Sequence, residues 1–238
     1  KFEDGERIIK TAVDNFGRID ILVNSAGLLR DRMCFNMSFE EWDAVIKVHL
    51  YGCFNCSRHA CVPMREQKSG RIITVTSDAY RGTMGHVNYG AAKGGIVSLM
   101  RSMAIELARY GITCNCIAPT AATRMTMPQG VKEGMKKRVE AGAMSRESYE
   151  HFLDMPSPEF VPPTVVYLAS DYGAKINGCV ISCGGGKISV HDVAEEVHAI
   201  YKDYRKEGPW TMDELTRLMP IAIEPCCPPL KTIELDWG

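Results

Sequence analysis

A tyrosine and a lysine four residues apart, with a serine ahead of them, are the residues in this sequence best suited to proton transfer. Tyr89 and Lys93 fall in a predicted helix over 87–109, so their spacing places them on one face, one turn apart. A phenol with a pKa of about 10 is a weak base at neutral pH, and a fixed ammonium group nearby is expected to lower that pKa. Ser77 ends a predicted strand, where its hydroxyl can hold the alcohol or carbonyl oxygen that exchanges a proton with Tyr89.

Alternating strands and helices must position these side chains. Nearly continuous apolar runs, typical of strands that a parallel sheet buries on both faces, occur at 19–23, 71–76 and 111–119. Apolar residues at helical spacing predict helices over 4–17, from 38 to about 67, and over 87–109. This order predicts an α/β fold, a doubly wound, mostly parallel, Rossmann-like sheet with right-handed crossovers.

The second half of the sequence adds a lid and a tail. Residues 120–157 are too many for a bare connection, so we expect a helical lid over the site, followed by a short helix and a last strand in NGCVISCGGG. The tail is expected to be a helical extension, with one amphipathic helix over 193–208 and a second capped by Thr211. We therefore divide the chain into a core over 1–187, which includes the lid, and a tail over 188–238.

The composition is that of an ordinary globular protein and argues against several classes of partner. Hydrophobic residues make up 45% of the 238 residues and the formal net charge is -1, with no long block of like charge for a nucleic acid to bind. Apolar stretches fall short of the ~20 residues that span a membrane, and no signal peptide is visible, so a cytoplasmic protein is expected. The ten cysteines are spread through the sequence and are interpreted as reduced core thiols. The Cys53 and Cys56 pair has no matching second pair, so we expect no metal site.

The run ITVTSDAYRGTMGHVNYGAAKGG, with VNSAG at the end of an earlier strand and NCIAPTAATRMT at the end of a later one, resembles the short-chain dehydrogenase/reductase family. The resemblance covers about residues 4 to 187. It implies that a nicotinamide cofactor binds, that Tyr89 is the catalytic acid/base, that Lys93 also contacts the nicotinamide ribose, and that Ser77 positions the reacting oxygen. The cofactor contacts that the resemblance implies are Asn24, Ala26, Gly27, Tyr89, Lys93, Ile117, Pro119 and Thr123.

His49 occupies the position on the 38–67 helix where the family usually has an asparagine that supports proton exit from the lysine. An imidazole titrates near neutrality, so His49 is a candidate catalytic residue that relays protons. The alternative is a helix histidine whose ring is satisfied by a backbone carbonyl.

The family fold begins with a strand, a glycine-rich turn and a helix whose amino end receives the pyrophosphate, and no such pattern stands ahead of Lys1. Two interpretations follow. Either further residues precede Lys1, or the chain is a catalytically silent subunit that stabilises an active partner chain. The intact Ser77, Tyr89 and Lys93 favour the first.

The segments VHLYG and IAPTAATRMT look most like the hydroxyacyl-CoA dehydrogenase part of multifunctional β-oxidation enzymes. This resemblance implies a small-molecule substrate, a 3-hydroxyacyl or 3-oxoacyl thioester linked to CoA. NAD is preferred because β-oxidation runs toward oxidation, while NADP stays open. By the same resemblance we expect a homo-oligomer, a dimer or tetramer paired through helices 38–67 and 87–109, with a hetero-oligomer as the alternative.

Overall fold

A single five-stranded sheet forms the centre of the fold in the computed structural model, which describes residues 1–127, 129–142, 144–192 and 196–227. The strands are β1 (Ile21–Asn24), β2 (Gly70–Val75), β3 (Ile112–Pro119), β4 (Val180–Gly184) and β5 (Lys187–His191), and they lie in that order. The first four are parallel, and β5 runs antiparallel to β4. The predicted doubly wound, mostly parallel α/β fold is thus confirmed.

Along the described part of the chain, helices precede, connect and follow the strands of the sheet. They are α1 (Phe2–Phe16), α2 (Phe39–Ile46), α3 (Gly52–Gln67), α4 (Val87–Leu107), α5 (Gln129–Glu140), α6 (Arg146–Leu153), α7 (Pro162–Ala169), α8 (Tyr204–Glu207) and α9 (Met212–Ala222). Both α5 and α6 fall in the predicted lid over 120–157.

The helix predicted from 38 to 67 is continuous, with an irregular middle. Ser38 caps α2: its hydroxyl accepts a hydrogen bond from the Glu41 amide at 3.2 Å, and the Glu41 carboxylate accepts one from the Ser38 amide at 3.0 Å. Between α2 and α3 the chain makes a π-helical turn, Lys47–Tyr51, without leaving the helix axis. The helix ends at Lys68, which adopts a left-handed conformation with φ of 55°.

Two apolar clusters fill the space between the sheet and its helices. One includes Ile72, Ile96 and Met100, and the other is built around Ile73, Ile117 and Leu168. Strand β1 departs from the predicted burial on both faces, because Ile21 and Val23 are 46% and 43% exposed. Within the described residues β1 is an edge strand of the sheet, and no neighbour covers this face.

The cysteines are all free thiols. Cys53, Cys114, Cys116 and Cys183 are buried, as the core interpretation predicts, and burial raises the pKa of Cys114 and Cys116 to about 12. Cys34, Cys226 and Cys227 are exposed, so the interpretation is wrong for those three. Across the described ranges, no cluster of three or more potential ligand side chains is arranged to hold a metal ion.

The carboxyl-terminal part differs from the prediction at two places. The strand β5 was not predicted, and the helix predicted over 193–208 is absent from the described residues 196–203, with only the single turn α8 after them. Val197 and Tyr201, which suggested the apolar face of that helix, are 85% and 86% exposed, so no burial stabilises it. Residues 193–195 lie outside the described residues.

The chain divides into two compact units, with the boundary between His191 and Asp192. In the second unit the predicted cap of α9 is confirmed, since Thr211 Oγ1 accepts from the Glu214 amide at 3.2 Å. The Lys202 ammonium holds the Glu214 carboxylate at 2.7 Å and lies 5.3 Å from the centre of the Trp210 ring. A search of the described part of the chain finds no helix with the length and apolar character needed to cross a bilayer.

Candidate active site

The carboxyl ends of β1, β2 and β3 meet at one edge of the sheet, because their registers pair Asn24 with Thr74 and Val75 with Ile117. Directly after β2, the Thr76 amide donates to the Ile117 carbonyl at 2.7 Å, which extends the sheet by one bond. The Thr76 hydroxyl donates to the Lys93 carbonyl at 3.0 Å and so ties this edge to α4. In an open α/β sheet this is the edge at which ligands bind.

Ser77 begins a tight turn that fixes its hydroxyl. It caps the 3-10 turn Asp78–Arg81, where its Oγ accepts from the Ala79 amide at 3.3 Å and its carbonyl accepts from the Tyr80 amide at 3.0 Å. Because an amide already donates to Oγ, the hydroxyl hydrogen stays free to donate to another oxygen.

Asn88, which sequence reasoning did not select, sets the start of α4. Its side chain is fully buried and donates to the carbonyls of Arg30 at 2.9 Å and Glu41 at 3.1 Å, while its Oδ1 accepts from the Tyr89 amide at 2.7 Å. A polar side chain beside Tyr89 was the available signal, but its partners lie far away in the sequence. Asn88 therefore locks Tyr89 to α2 and to the loop after β1.

Ser77, Tyr89 and Lys93 lie together at this edge. The Ser77 hydroxyl is close enough to the Tyr89 phenol to lower its pKa, and the Lys93 ammonium lies 5.4 Å from the centre of the Tyr89 ring. The ammonium donates to the Val75 carbonyl at 2.6 Å and is 3% exposed, and burial lowers the pKa of Lys93 to about 8.

The expected effect of Lys93 on the phenol is wrong in this structure. Burial raises the pKa of Tyr89, the neighbouring Ser77 hydroxyl opposes that rise, and the carboxylate of Asp31 adds to it. The Lys93 ammonium donates to a backbone carbonyl instead, and the loss of water around the phenol is the largest cause of the raised pKa. At neutral pH Tyr89 is therefore a neutral phenol with a proton to donate.

His49 lies in the π-helical turn, buried against the same site. Its ring meets the Tyr89 ring edge to face with centres 5.2 Å apart, and its Nε2 lies 2.8 Å from the Leu28 carbonyl oxygen. Burial, reinforced by the charge of Lys93, lowers the pKa of His49 to about 4, so the prediction that it titrates near neutrality is wrong. Its Nδ1 is buried without a hydrogen-bond partner among the described residues. A histidine with a purely structural role would be expected to have one, because buried polar atoms are normally hydrogen-bonded.

The residues assigned to the cofactor at the end of β1 have distinct surroundings. The Asn24 amide donates to the hydroxyls of Ser57 and Thr74, both at 3.1 Å, and so joins β1 to α3 and β2. Ala26 is exposed. Gly27 lies against His49, and a Cβ at this position would stand 2.4 Å from the imidazole Cε1, so only glycine leaves room for the ring.

The residues that the resemblance assigns to the cofactor near β3 differ in their burial and in their contacts. Ile117 is buried in the core, and Pro119 at the end of the strand is partly exposed. The Thr123 hydroxyl accepts from the amides of Met125 and Thr126, both at 3.2 Å, so the structure uses it within its own turn.

A cavity of about 730 Å³ lies beside this edge of the sheet. Its lining includes Asn24, Ser25, Ala26, His49, Val75 and Lys93. The lining thus brings a lysine side chain, an imidazole and an exposed loop into one concave space, the kind of space in which small molecules bind. No glycine-rich turn opening a phosphate-binding helix occurs in the described residues.

The parallel sheet with a serine after one strand and Tyr89 and Lys93 one turn apart on the next helix defines a class of oxidoreductase, and the chain belongs to the short-chain dehydrogenase/reductase family. The family model described as enoyl-(acyl carrier protein) reductase matches residues 1–187.

Relatives and a solved structure place the chain within that family. It is 44% identical to a short-chain type dehydrogenase/reductase of Mycobacterium tuberculosis over 78% of this chain and 59% of that protein. It is 39% identical to the peroxisomal multifunctional enzyme type 2 of Mus musculus over 78% of this chain and 23% of that protein. It is 40% identical to the hydroxyacyl-CoA dehydrogenase ChsB1 of Mycobacterium tuberculosis over 78% of this chain and 57% of that protein. The crystal structure of a short chain dehydrogenase from Mycobacterium avium matches with a TM-score of 0.75 and 37% identity, over 97% of this chain and 73% of that one. The chain thus spans less than two thirds of the length of these curated relatives.

Proposed function

We propose that the chain interconverts a secondary alcohol and a ketone with a nicotinamide cofactor, on a 3-hydroxyacyl or 3-oxoacyl thioester of CoA. The observation that carries the proposal is the grouping of the Ser77 hydroxyl, the Tyr89 phenol and the Lys93 ammonium at the carboxyl edge of the sheet, beside the cavity. The substrate class draws support from the 40% identity to a protein named as a hydroxyacyl-CoA dehydrogenase.

The proposal assigns the cofactor to the cavity side of this edge. When bound, nicotinamide supplies the site that accepts or gives the hydride. Asn24 and Ala26 would border the adenosine, Lys93 the nicotinamide ribose, and Pro119 and Thr123 the nicotinamide itself. NAD is our choice from the oxidative direction of the related reactions, with NADP as the alternative.

In the direction of reduction, Tyr89 donates its proton to the ketone oxygen. The phenol is suited to this because its raised pKa keeps it protonated at neutral pH. The Ser77 hydroxyl, whose lone pair already accepts from the Ala79 amide, donates to the same oxygen and holds it beside the phenol. In the direction of oxidation the same two groups hold the alcohol, and Tyr89 takes the alcohol proton as the phenolate, after its own proton has passed to solvent.

The proposal also includes a homo-oligomer, a dimer or tetramer that pairs through α3 and α4. Apolar side chains such as Val62 on α3 and Ile105 on α4 are exposed. Burying such residues against a second copy is favourable.

Replacement of Tyr89 by phenylalanine tests the function directly. We expect Tyr89→Phe to lower kcat about 10²- to 10⁴-fold, the range typical of a lost general acid, with the fold intact. The measurement is NADH absorbance with a 3-hydroxyacyl-CoA or 3-oxoacyl-CoA, and circular dichroism checks the fold. Tyr110→Phe is the matched control, since Tyr110 lies just beyond the other end of α4. Full activity in Tyr89→Phe would refute the assignment, and turnover that depends on a separate chain would favour the silent subunit.

A further inference from the structure

A second cluster of polar side chains surrounds His191, the last residue of β5. Its Nδ1 lies 2.9 Å from the Tyr80 hydroxyl, and its Nε2 lies 2.5 Å from the Ser182 hydroxyl. Asp78 Oδ1 lies 3.4 Å from the same Nε2. The imidazole also stacks obliquely on the Tyr80 ring, with centres 5.7 Å apart. The cluster therefore joins β4 and β5 to the turn that follows Ser77.

A serine, a histidine and an aspartate in contact invite comparison with a hydrolytic triad, and the geometry excludes that role. In a triad the serine and the carboxylate bind opposite nitrogens of the imidazole, so that the carboxylate orients the ring while the other nitrogen takes the serine proton. Here Ser182 and Asp78 both approach Nε2, and Tyr80 occupies Nδ1. The cluster is built to hold a position rather than to activate a nucleophile.

The negative charge of Asp78, 3.4 Å from Nε2, favours one tautomer of His191. Burial lowers its pKa, with Asp78 opposing and the charges of Arg81 and Lys187 adding to the effect, so the ring is neutral at neutral pH. A neutral imidazole has one donor nitrogen and one acceptor nitrogen, and a carboxylate only accepts. We therefore assign the proton to Nε2, which faces Asp78 and Ser182, and leave Nδ1 to accept from the Tyr80 hydroxyl.

Tyr80 transmits this anchor to Ser77 through its backbone. Its amide donates to the Ser77 carbonyl at 3.0 Å, and the neighbouring Ala79 amide donates to Ser77 Oγ at 3.3 Å. The same turn packs closely on α4, since a Cβ at Gly90 would stand 2.9 Å from the Ala79 carbonyl oxygen. A displacement of the Tyr80 side chain would thus move the amides that aim the Ser77 hydroxyl.

We propose that His191 is a positioning residue, which holds Tyr80 and through it the turn that aims the Ser77 hydroxyl at Tyr89 and at the reacting oxygen. The inference rests on the proposed function for its effect on turnover. It gives β5 a role in the site, although β5 itself supplies no group to the reacting atoms.

Two replacements of His191 separate its two nitrogens. The side-chain oxygen of asparagine can stand near the place of Nδ1, and the amide of glutamine near that of Nε2. We expect His191→Gln, which gives up the Tyr80 contact, to lower kcat at least tenfold with KM for the cofactor within twofold. His191→Asn should keep kcat within threefold.

Tyr80→Phe should lower kcat as much as His191→Gln does. The double variant should lose no more activity than either single variant, because both replacements remove the same contact. Ser182→Ala is the control and should keep kcat within threefold. Equal effects of the asparagine and glutamine variants on kcat, or an unchanged kcat in both His191→Gln and Tyr80→Phe, would overturn the proposal.

Hydrogen exchange tests the same link without turnover. In His191→Gln and Tyr80→Phe, the peptide that covers 76–86 should exchange its amides faster than in the unaltered chain, while His191→Asn should not differ. If the unaltered chain turns over no hydroxyacyl or oxoacyl substrate, the proposed function fails and this measurement alone decides the inference. Unchanged exchange in both variants would then reject it.

Discussion

At the scale of single residues, Lys93 places a charged group inside the core. Its ammonium is 3% exposed, and one backbone carbonyl, that of Val75, replaces the water it has lost. Burial is the main reason that its pKa falls to about 8 from 10.5. A charge kept there at a cost to stability is typical of a functional site.

The variant Lys93→Met tests this cost. Between pH 8 and 10.5 the unfolded chain binds a proton at Lys93 that the folded chain has released, so the free energy of unfolding rises with pH across that window. Across the whole window this rise in the free energy of unfolding corresponds to about 3 kcal/mol, and Lys93→Met should not show it. From pH 8 to 10.5, we expect urea denaturation to show that the free energy of unfolding of the unaltered chain rises relative to that of Lys93→Met. Lys175→Met, on a surface turn, is the control and should show no such gain. A constant difference between Lys93→Met and the unaltered chain would contradict the buried charge.

The sequence predicted which residues gather at the site but not their chemistry. The spacing of Tyr89 and Lys93 and the position of Ser77 after a strand follow from helix and sheet geometry alone. The pKa of each group depends on burial and on where its charge points, and neither is visible in spacing. The same limit applies to His49, whose pKa of about 4 comes from burial and from Lys93. Spacing also could not predict the role of Asn88, because its partners Arg30 and Glu41 are distant in sequence.

At the scale of elements, the π-helical turn Lys47–Tyr51 is what aims His49 into the site. Such a turn inserts an extra residue into a helix and often marks a functional position. It brings the imidazole against the loop after β1, and the loop accommodates it only because position 27 is a glycine. The packing of the π-helical turn against the loop after β1 therefore depends on the absence of a Cβ at position 27.

Gly27→Ala measures that fit. The added Cβ would stand 2.4 Å from His49 Cε1, so the ring or the loop after β1 must shift to accommodate it. Overpacking of this kind costs about 1–3 kcal/mol, which urea denaturation would detect. Gly134→Ala, where a Cβ meets nothing within 4 Å, is the control and should be neutral or stabilising by up to about 1 kcal/mol. In the double variant Gly27→Ala/His49→Ala the losses should be smaller than their sum, and strict additivity would argue against the contact.

Periodicity predicted the elements that bury an apolar face and failed where burial is absent. The strands β1 to β4 and the helices α1, α4 and α9 stand where apolar spacing or caps predict them. Strand β5 was missed because its apolar residues Ile188 and Val190 are exposed and only hydrogen bonds to β4 define it. The helix predicted over 193–208 is the converse, an apolar pattern with nothing to bury it in residues 196–203.

At the scale of the whole molecule, the structure moves the unit boundary past β5. The sequence divides the chain at residue 187, and the compact units divide it between His191 and Asp192. Five residue pairs join β5 to β4, from Val180 with His191 to Gly184 with Lys187, so the strand completes the sheet of the first unit. Without it β4 would present an unpaired edge.

Two shortened chains distinguish these boundaries. A chain that ends at Asp192 keeps β5 and the contacts of His191, so we expect cooperative unfolding and a kcat within threefold of the full chain. A chain that ends at Gly186 loses the β4 pairing and the anchor of Tyr80, and should unfold at lower urea concentration with kcat reduced at least tenfold. Urea denaturation and NADH absorbance on both chains provide the comparison. If both chains keep the stability and kcat of the full chain, β5 contributes neither to the sheet nor to the site. If both lose activity equally, the second unit, rather than β5, supports turnover.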